Sequence, residues 1–319
     1  MSYIFIALFA YFLMSLGVIL DKFLLTAKKI SHPVVFAFYS GMLSFFTIFL
    51  APFGFHWVDW GTAVLYIFGG MIFTYGILFL FFAISRNEAS RVTPVVGSVT
   101  AIITYIISNF FLKEQLGGWQ NIGIAILIIG SLVISLNFSS WKSGQRFYSG
   151  FGYSITAGVL IAVALSVFKA FYDQEQNFVN DFYSQKQAFI HIFIWTRVGL
   201  VFGALSLLIV DPWREIILNS LAKFNNPKKE NVSISGLFIF NKLMGGVGSI
   251  LNQYAISLGS VAVVNALISV EYAFVFVIGF ALSFKFPDIF QEKRQFANIA
   301  KKIAAITLIS IGIALVSIK

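Results

Sequence analysis

The feature that most constrains this chain is a succession of long, almost uncharged apolar stretches separated by short polar joints. Ten of them fall at roughly 3 to 25, 33 to 54, 60 to 84, 91 to 112, 119 to 138, 151 to 172, 188 to 210, 234 to 257, 261 to 286 and 299 to 318. Each is long enough to cross about 30 Å of hydrocarbon as an α-helix. Lipid offers no partners to backbone N–H and C=O groups, so the stretches must satisfy them internally, which a helix does. With 59% hydrophobic and only 11% charged residues in 319, a soluble domain is not expected. The expected fold is an all-α integral membrane protein of ten transmembrane helices.

The helices fall into two related sets. Gly61 to Lys113 reappears, much altered, as Ser233 to Lys285, with matches at Leu65/Leu237, Phe68/Phe240, Gly76/Gly248, Val92/Val264, Ala101/Ala273 and Lys113/Lys285. Both copies share an Ala-Ile-Ser joint, at Ala83 and at Ala255. The fifth and tenth stretches also rhyme, Ile129-Gly130-Ser131 against Ile311-Gly312-Ile313. The expected organisation is a five-helix repeat over 1–138, a linker over 139–150 and a second five-helix repeat over 151–319. Five is odd, so the second repeat must enter the membrane from the opposite side, giving two inverted repeats of the kind many transporters carry.

Charge and missing motifs narrow the function. The net charge of +9 lacks interleaved aromatics and reads as basic loops against anionic lipid, with no nucleic-acid partner. Lysines and arginines concentrate in the loops after spans 1, 3, 5, 7 and 9, placing those loops in the cytoplasm and both termini outside. The longest such loop, Asp211 to Val232, puts Ile216, Ile217, Leu221 and Phe224 near one face, with Trp213 at its start, and predicts a helix on the membrane surface. The run from Tyr3 to Leu20 has neither a basic lead nor a cleavage site after it, and reads as a retained span. Zero cysteines exclude thiol chemistry, and no HExxH, GxSxG or P-loop is present. Neither an enzyme nor a cofactor nor a metal centre is expected, and energy must come from an ion or solute gradient.

Three ionisable residues lie near the middle of spans: Arg197, Lys242 and Glu271. Each costs roughly 2.5 to 3.5 kcal/mol there unless paired or hydrated, so their helices must face the protein interior or a water-filled path. Lys242 and Glu271 could pair; alternatively at least two of the three line a substrate path, where two cations against one carboxylate would favour an anionic solute. Glu271 is also the candidate for proton coupling. Asn241, Gln253 and Asn265, together with Asn252, fall in the same half and could solvate a zwitterion, while Trp195, Tyr75 and Tyr105 could present rings to it. His191 reads as interfacial, and Lys22 and Lys169 as helix-end lysines that snorkel. Gly69, Gly70 and Gly76, Gly245, Gly246 and Gly248, and the GxxxG of Gly199 and Gly203 predict close helix packing.

Several local patterns go beyond hydropathy. Span 1 ends Gly17-Val18-Ile19-Leu20-Asp21-Lys22, before Pro33 and Tyr39-Ser40-Gly41-Met42-Leu43; span 6 reads Ser166-Val167-Phe168-Lys169, before Trp195-Thr196-Arg197-Val198-Gly199. Ala89-Ser90 precedes Pro94, and span 4 closes Phe111-Leu112-Lys113-Glu114-Gln115-Leu116. Together these resemble the drug/metabolite transporter superfamily in its ten-helix EamA-type branch. Gly41 stands where that family often has arginine, and Phe286 where a second glutamate would fall. The resemblance implies secondary transport of a small organic solute in a plasma (inner) membrane, by a monomer or homodimer. Amino acids, organic anions, phosphorylated metabolites and nucleotide sugars are within its range, and flipping a lipid or lipid-linked sugar is the competing expectation.

Overall fold

A computed structural model of the chain describes residues 2–26, 32–86, 89–135, 149–179, 183–224, 229–286, 289 and 296–318. Among these residues every regular element is a helix, with no strand. In chain order the helices are α1 (Ser2–Thr26), α2 (Pro33–Leu43), α3 (Trp60–Arg86), α4 (Ala89–Ile107), α5 (Gly118–Ser135) and α6 (Phe151–Gln176). There follow α7 (Gln185–Ser206), α8 (Asp211–Phe224), α9 (Lys229–Leu258), α10 (Val261–Ala266), α11 (Ile268–Leu282) and α12 (Phe296–Val316). A tighter 3₁₀ segment, Ser44–Phe53, prolongs α2, and a π turn, Ser108–Leu112, closes α4. The linker assigned to 139–150 falls, up to position 148, outside the described residues.

Seven segments of the described chain are long and apolar enough to cross a membrane: Tyr3–Leu24, Pro33–Phe53, Trp60–Arg86, Val92–Leu112, Phe151–Gln176, Gln185–Ile209 and Val261–Leu282. Two shorter apolar helices, Gly118–Val133 and Ile303–Val316, accompany them. α9 is longer than any of these at 30 residues but carries Asn241, Lys242, Asn252 and Gln253 along its length. The outer surface is apolar, with Phe5, Phe9, Phe49, Leu65, Phe68 and Phe110 exposed, and Trp57, Trp60 and Trp119 sit at helix ends where an aromatic belt belongs.

Local chemistry sets the helix starts. Pro33 opens α2 with its fixed φ, while His32 Nδ1 accepts from Val34 N at 3.3 Å. Burial pulls the His32 imidazole below its ordinary range, which keeps it neutral and able to accept. Ser184 and Gln187 form a capping box at α7, each side chain accepting from the other's backbone. At α10, Glu114 reaches over from the end of α4: Oε2 accepts from Ser260 Oγ at 2.5 Å and Oε1 from Val261 N at 3.1 Å. A carboxylate at a helix N-terminus is favoured by the helix dipole, and here it ties α4 to α10.

Long-range packing follows a reciprocal pattern. α1 lies along α9 and α6 along α3, so the first helix of each half rests on the third helix of the other. α5 and α12 pack on one another, and α4 packs on α6 as α11 does on α1. A close backbone seam joins α3 to α7: the Gly70 and Gly199 backbones touch, Thr74 Oγ1 donates to Leu200 O at 3.1 Å, and Gly203 sits against Thr74. The GxxxG packing expected of Gly199 and Gly203 is formed there. Gly245 and Gly246, expected to thin α9 for a neighbour, instead face open space, and Gly248 meets Met14.

Beside the bundle, α8 occupies the loop read as a surface helix. Ile217 is fully buried and Trp213 approaches Phe82, while Leu218 and Leu221 stay exposed. Lys228, in the same loop, is outside the described residues.

Candidate functional site

Span 9 is not one helix. α10 stops at Ala266, Leu267 forms a turn, and α11 restarts at Ile268. The break frees backbone groups that a continuous helix would pair, and the Tyr11 hydroxyl of α1 donates to one of them, Val264 O, at 2.9 Å. Interrupted helices of this kind are tolerated at membrane depth where protein or a polar cavity satisfies them, and transporters place solute sites beside them. Glu271 lies in the first turn of α11, directly after the break, and is buried. Tyr11 and Tyr272 are its electrostatic neighbours.

Other residues singled out from sequence are buried on α7 and α9. Arg197, buried in α7, donates from Nη2 to Ser249 Oγ of α9 at 2.9 Å, and its guanidinium stacks 4.4 Å from the Phe193 ring. Gln253 Oε1, a turn further along α9, accepts from the Tyr172 hydroxyl of α6 at 2.9 Å. Among the described residues no carboxylate pairs with Arg197 and no cation pairs with Glu271. Buried polar atoms are left without partners at Asn252 Oδ1, Gln253 Nε2, Asn265 Nδ2 and Glu271 Oε2. Each such atom costs about 1 to 3 kcal/mol when it stays unsatisfied, so these four atoms, on α9, α10 and α11, mark where the packing leaves polar groups uncompensated.

Lys242 does not belong to that group. The expected pair with Glu271 is not formed; Lys242 Nζ bonds Asp21 Oδ1 of α1 at 2.9 Å, and Asn241 Nδ2 donates to the same oxygen at 2.5 Å. The reason is lateral: α9 lies along α1, and Asp21, in the last two turns of α1, stands at the level of Lys242. The ammonium is further enclosed by Phe36, Phe81 and Phe238, at 4.2, 5.1 and 5.5 Å from their ring centroids. Lys169 also departs from expectation. Helix α6 runs on to Gln176, so Lys169 is buried and pairs with Asp173 at 2.7 Å instead of snorkelling.

The aromatic candidates go to separate places. Tyr75 is hydrogen-bonded to Ser206 at 2.9 Å across the α3–α7 seam, and the Tyr105 hydroxyl donates to Asn121 Oδ1 at 3.0 Å between α4 and α5. Trp195 donates from Nε1 to His56 O at 3.3 Å, packed against Phe55 and Trp57. That places Trp195 at the end of the bundle where α6 finishes and α7 begins, beside His191. His191 is fully buried, stacked on His56, and not interfacial as its sequence position suggested.

At the same end, Tyr183 donates to Glu175 Oε1 at 2.8 Å. Burial first, and then that hydrogen bond, hold its phenol above the ordinary tyrosine range, so it remains a donor. Asp21, Tyr11, Tyr172, Ser249, His56 and Glu175 were not singled out from sequence. Asp21 alone carried a signal, as an acid closing the first span.

No family model matches the chain. Over 71 residues, 22% of its length, the chain is 37% identical to an uncharacterized protein of Methanocaldococcus jannaschii, and it spans about half, 51%, of that relative. A solved crystal structure aligns with 99% of this chain and 95% of its own length at a TM-score of 0.56 and 15% identity, a likeness of fold. The class these observations define is, among the described residues, an all-helical protein with seven helices long and apolar enough to cross a membrane, which suggests a membrane protein.

Proposed function

We propose that this chain is a secondary active transporter of a small organic solute, an exporter or exchanger working by alternating access in a plasma (inner) membrane. In this reading ten helices form two inverted five-helix repeats, as in the EamA-type drug/metabolite transporters. The reciprocal packing of α1 on α9 and α6 on α3, with α5 against α12, supports that symmetry.

The observation that carries the functional reading is that two buried ionisable residues, Arg197 on α7 and Glu271 just after the break in span 9, have no oppositely charged partner among the described residues, while buried amides on α9 and α10 also keep unpartnered atoms. A buried charge without a partner is costly in a span and marks a solute or ion path. Asp21 neutralises Lys242, so the mid-span charges left without a partner are one base and one acid instead of the two bases and one acid read from sequence. That balance favours a zwitterion such as an amino acid over an organic anion, with the solute carboxylate at Arg197. Phosphorylated metabolites and nucleotide sugars fit the single guanidinium less well. A proton on Glu271 is the coupling element.

Counterflow in proteoliposomes tests this, with labelled amino acids, organic acids, sugar phosphates and lipid-linked sugars offered in parallel. Zwitterion exchange is expected, lost at least about 10-fold in Arg197→Gln, while Glu271→Gln exchanges solute without its pH dependence. Headgroup scrambling of lipid-linked sugars with no soluble-solute exchange would establish a flippase in its place.

A further inference from the structure

His56, His191 and Glu175 present one ligand atom each, all within 4.8 Å of one another. They come from three elements: the turn before α3, the first turns of α7 and the last turn of α6. The chain has only three histidines, and two of them meet here although they lie 135 positions apart. The two rings stack at 3.5 Å with 4° between their planes, and His56 Nε2 lies 3.7 Å from Glu175 Oε1. His191 is fully buried and its Nε2 has no hydrogen-bond partner. Glu175, also buried, is oriented by Tyr183.

We propose that these three side chains bind a divalent transition-metal ion of the zinc class. Two imidazoles and one carboxylate are the donor set such ions select, whereas magnesium and calcium prefer oxygen alone. Metal–ligand bonds of about 2.1 Å in a tetrahedral site put ligand atoms about 3.4 Å apart, so the cluster closes by little more than an ångström. The rings must splay from parallel to aim at one ion. His56 has the freedom to do so, because it sits on a turn with its side chain 46% exposed. His191 accepts a long 3.4 Å contact from the His56 backbone N at Nδ1; coordination at Nε2 moves the ring proton to Nδ1 and that contact opens. Tyr183 supplies the outer hydrogen bond that orients the carboxylate, as in established metal centres. Three protein ligands leave a fourth position for water.

The position gives the site a role. Gln176 Nε2 donates to Ser257 O, joining the end of α6 to the end of α9, and Gly259 lies against Tyr3, so this is the end of the bundle opposite Asp21 and Lys242. An ion held there ties the turn before α3 to α6 and α7.

The test uses full-length protein purified in detergent with a tag that contains no histidine. It is stripped with chelator, then titrated with Zn²⁺ by calorimetry, and metal is counted after desalting. One Zn²⁺ per chain is expected, with affinity at least about 10-fold weaker in His56→Ala and in Glu175→Gln, and a Zn²⁺-dependent rise in thermal midpoint that both variants lack. His56→Ala alters a half-exposed turn residue and is expected to fold. His32→Ala is expected to bind like the parent. Absence of saturable binding in the parent, unchanged affinity in His56→Ala and Glu175→Gln, or loss of binding in His32→Ala would each overturn the site.

Discussion

Neutralising Asp21 is the sharpest test of how this bundle accommodates charge. The Asp21 carboxylate and the Lys242 ammonium are 2.9 Å apart with side chains only 15% and 16% exposed, and three phenylalanine rings surround the cation. At an effective dielectric near 20 their attraction is about 6 kcal/mol, most of it offsetting desolvation. Breaking such a pair from one side strands a buried charge and costs about 3 to 5 kcal/mol, while removing both charges is close to neutral. Asp21→Asn keeps an oxygen for Asn241 and removes only the charge, so about 3 kcal/mol is expected. Lys242→Met strands the carboxylate and should cost a similar amount. The double variant is expected within about 1 kcal/mol of the parent. Unfolding in lipid–detergent micelles with increasing SDS, run on all four proteins, gives the coupling directly. If Asp21→Asn lies within about 0.5 kcal/mol of the parent, or the double variant loses the sum of the singles, the pair does not hold α1 to α9.

Two further predictions concern packing and pH. Gly70→Ala would place a methyl group against Thr196 O and the Gly199 backbone and is expected to prevent folding or cost about 3 kcal/mol or more, whereas Gly245→Ala meets nothing and should be neutral or slightly stabilising; equal thermal midpoints for the two variants would contradict the seam. Asp59 caps α3 through Thr62 N and Thr62 Oγ1 at 2.9 and 2.7 Å, and those bonds hold its carboxyl below the ordinary range. A depressed folded-state value means the contribution is complete above the unfolded value, near 3.9, and fades as pH falls through the lowered one. The gap in thermal midpoint between the parent and Asp59→Ala should therefore close on acidification below about pH 4, and a gap unchanged at pH 3 would rule this out.

Hydropathy made most of the architecture legible, because a span must be apolar over a fixed length whatever it packs against. The bounds expected for spans 1 to 4 lie within a few residues of α1, of α2 with its 3₁₀ extension, of α3 and of α4 with its π turn. The break at Leu267 was not legible: Asn265-Ala266-Leu267-Ile268 contains no glycine or proline, and tertiary contacts such as Tyr11 to Val264 stabilise the interruption. Partnerships across helices were also beyond reach. Lys242 reads as a neighbour of Glu271 along the chain, yet its partner comes from α1, and only the lateral placement of helices decides that. Arg197, Gln253, Asn265 and Glu271 could be named because polar groups in apolar spans stand out by cost alone. His56 and Glu175 could not, because both lie at span ends where such residues are ordinary.

The backbone seam between α3 and α7 has a consequence for tracing ancestry. No side chain larger than hydrogen fits at Gly70 or Gly199 without separating the two helices, and a compensating change on one side cannot make room for a methyl on the other. In a chain whose apolar residues can replace one another freely, this pair supplies two fixed reference points. A relative that keeps this seam is expected to keep a glycine at both positions, so the pair offers an anchor for register where overall identity is low.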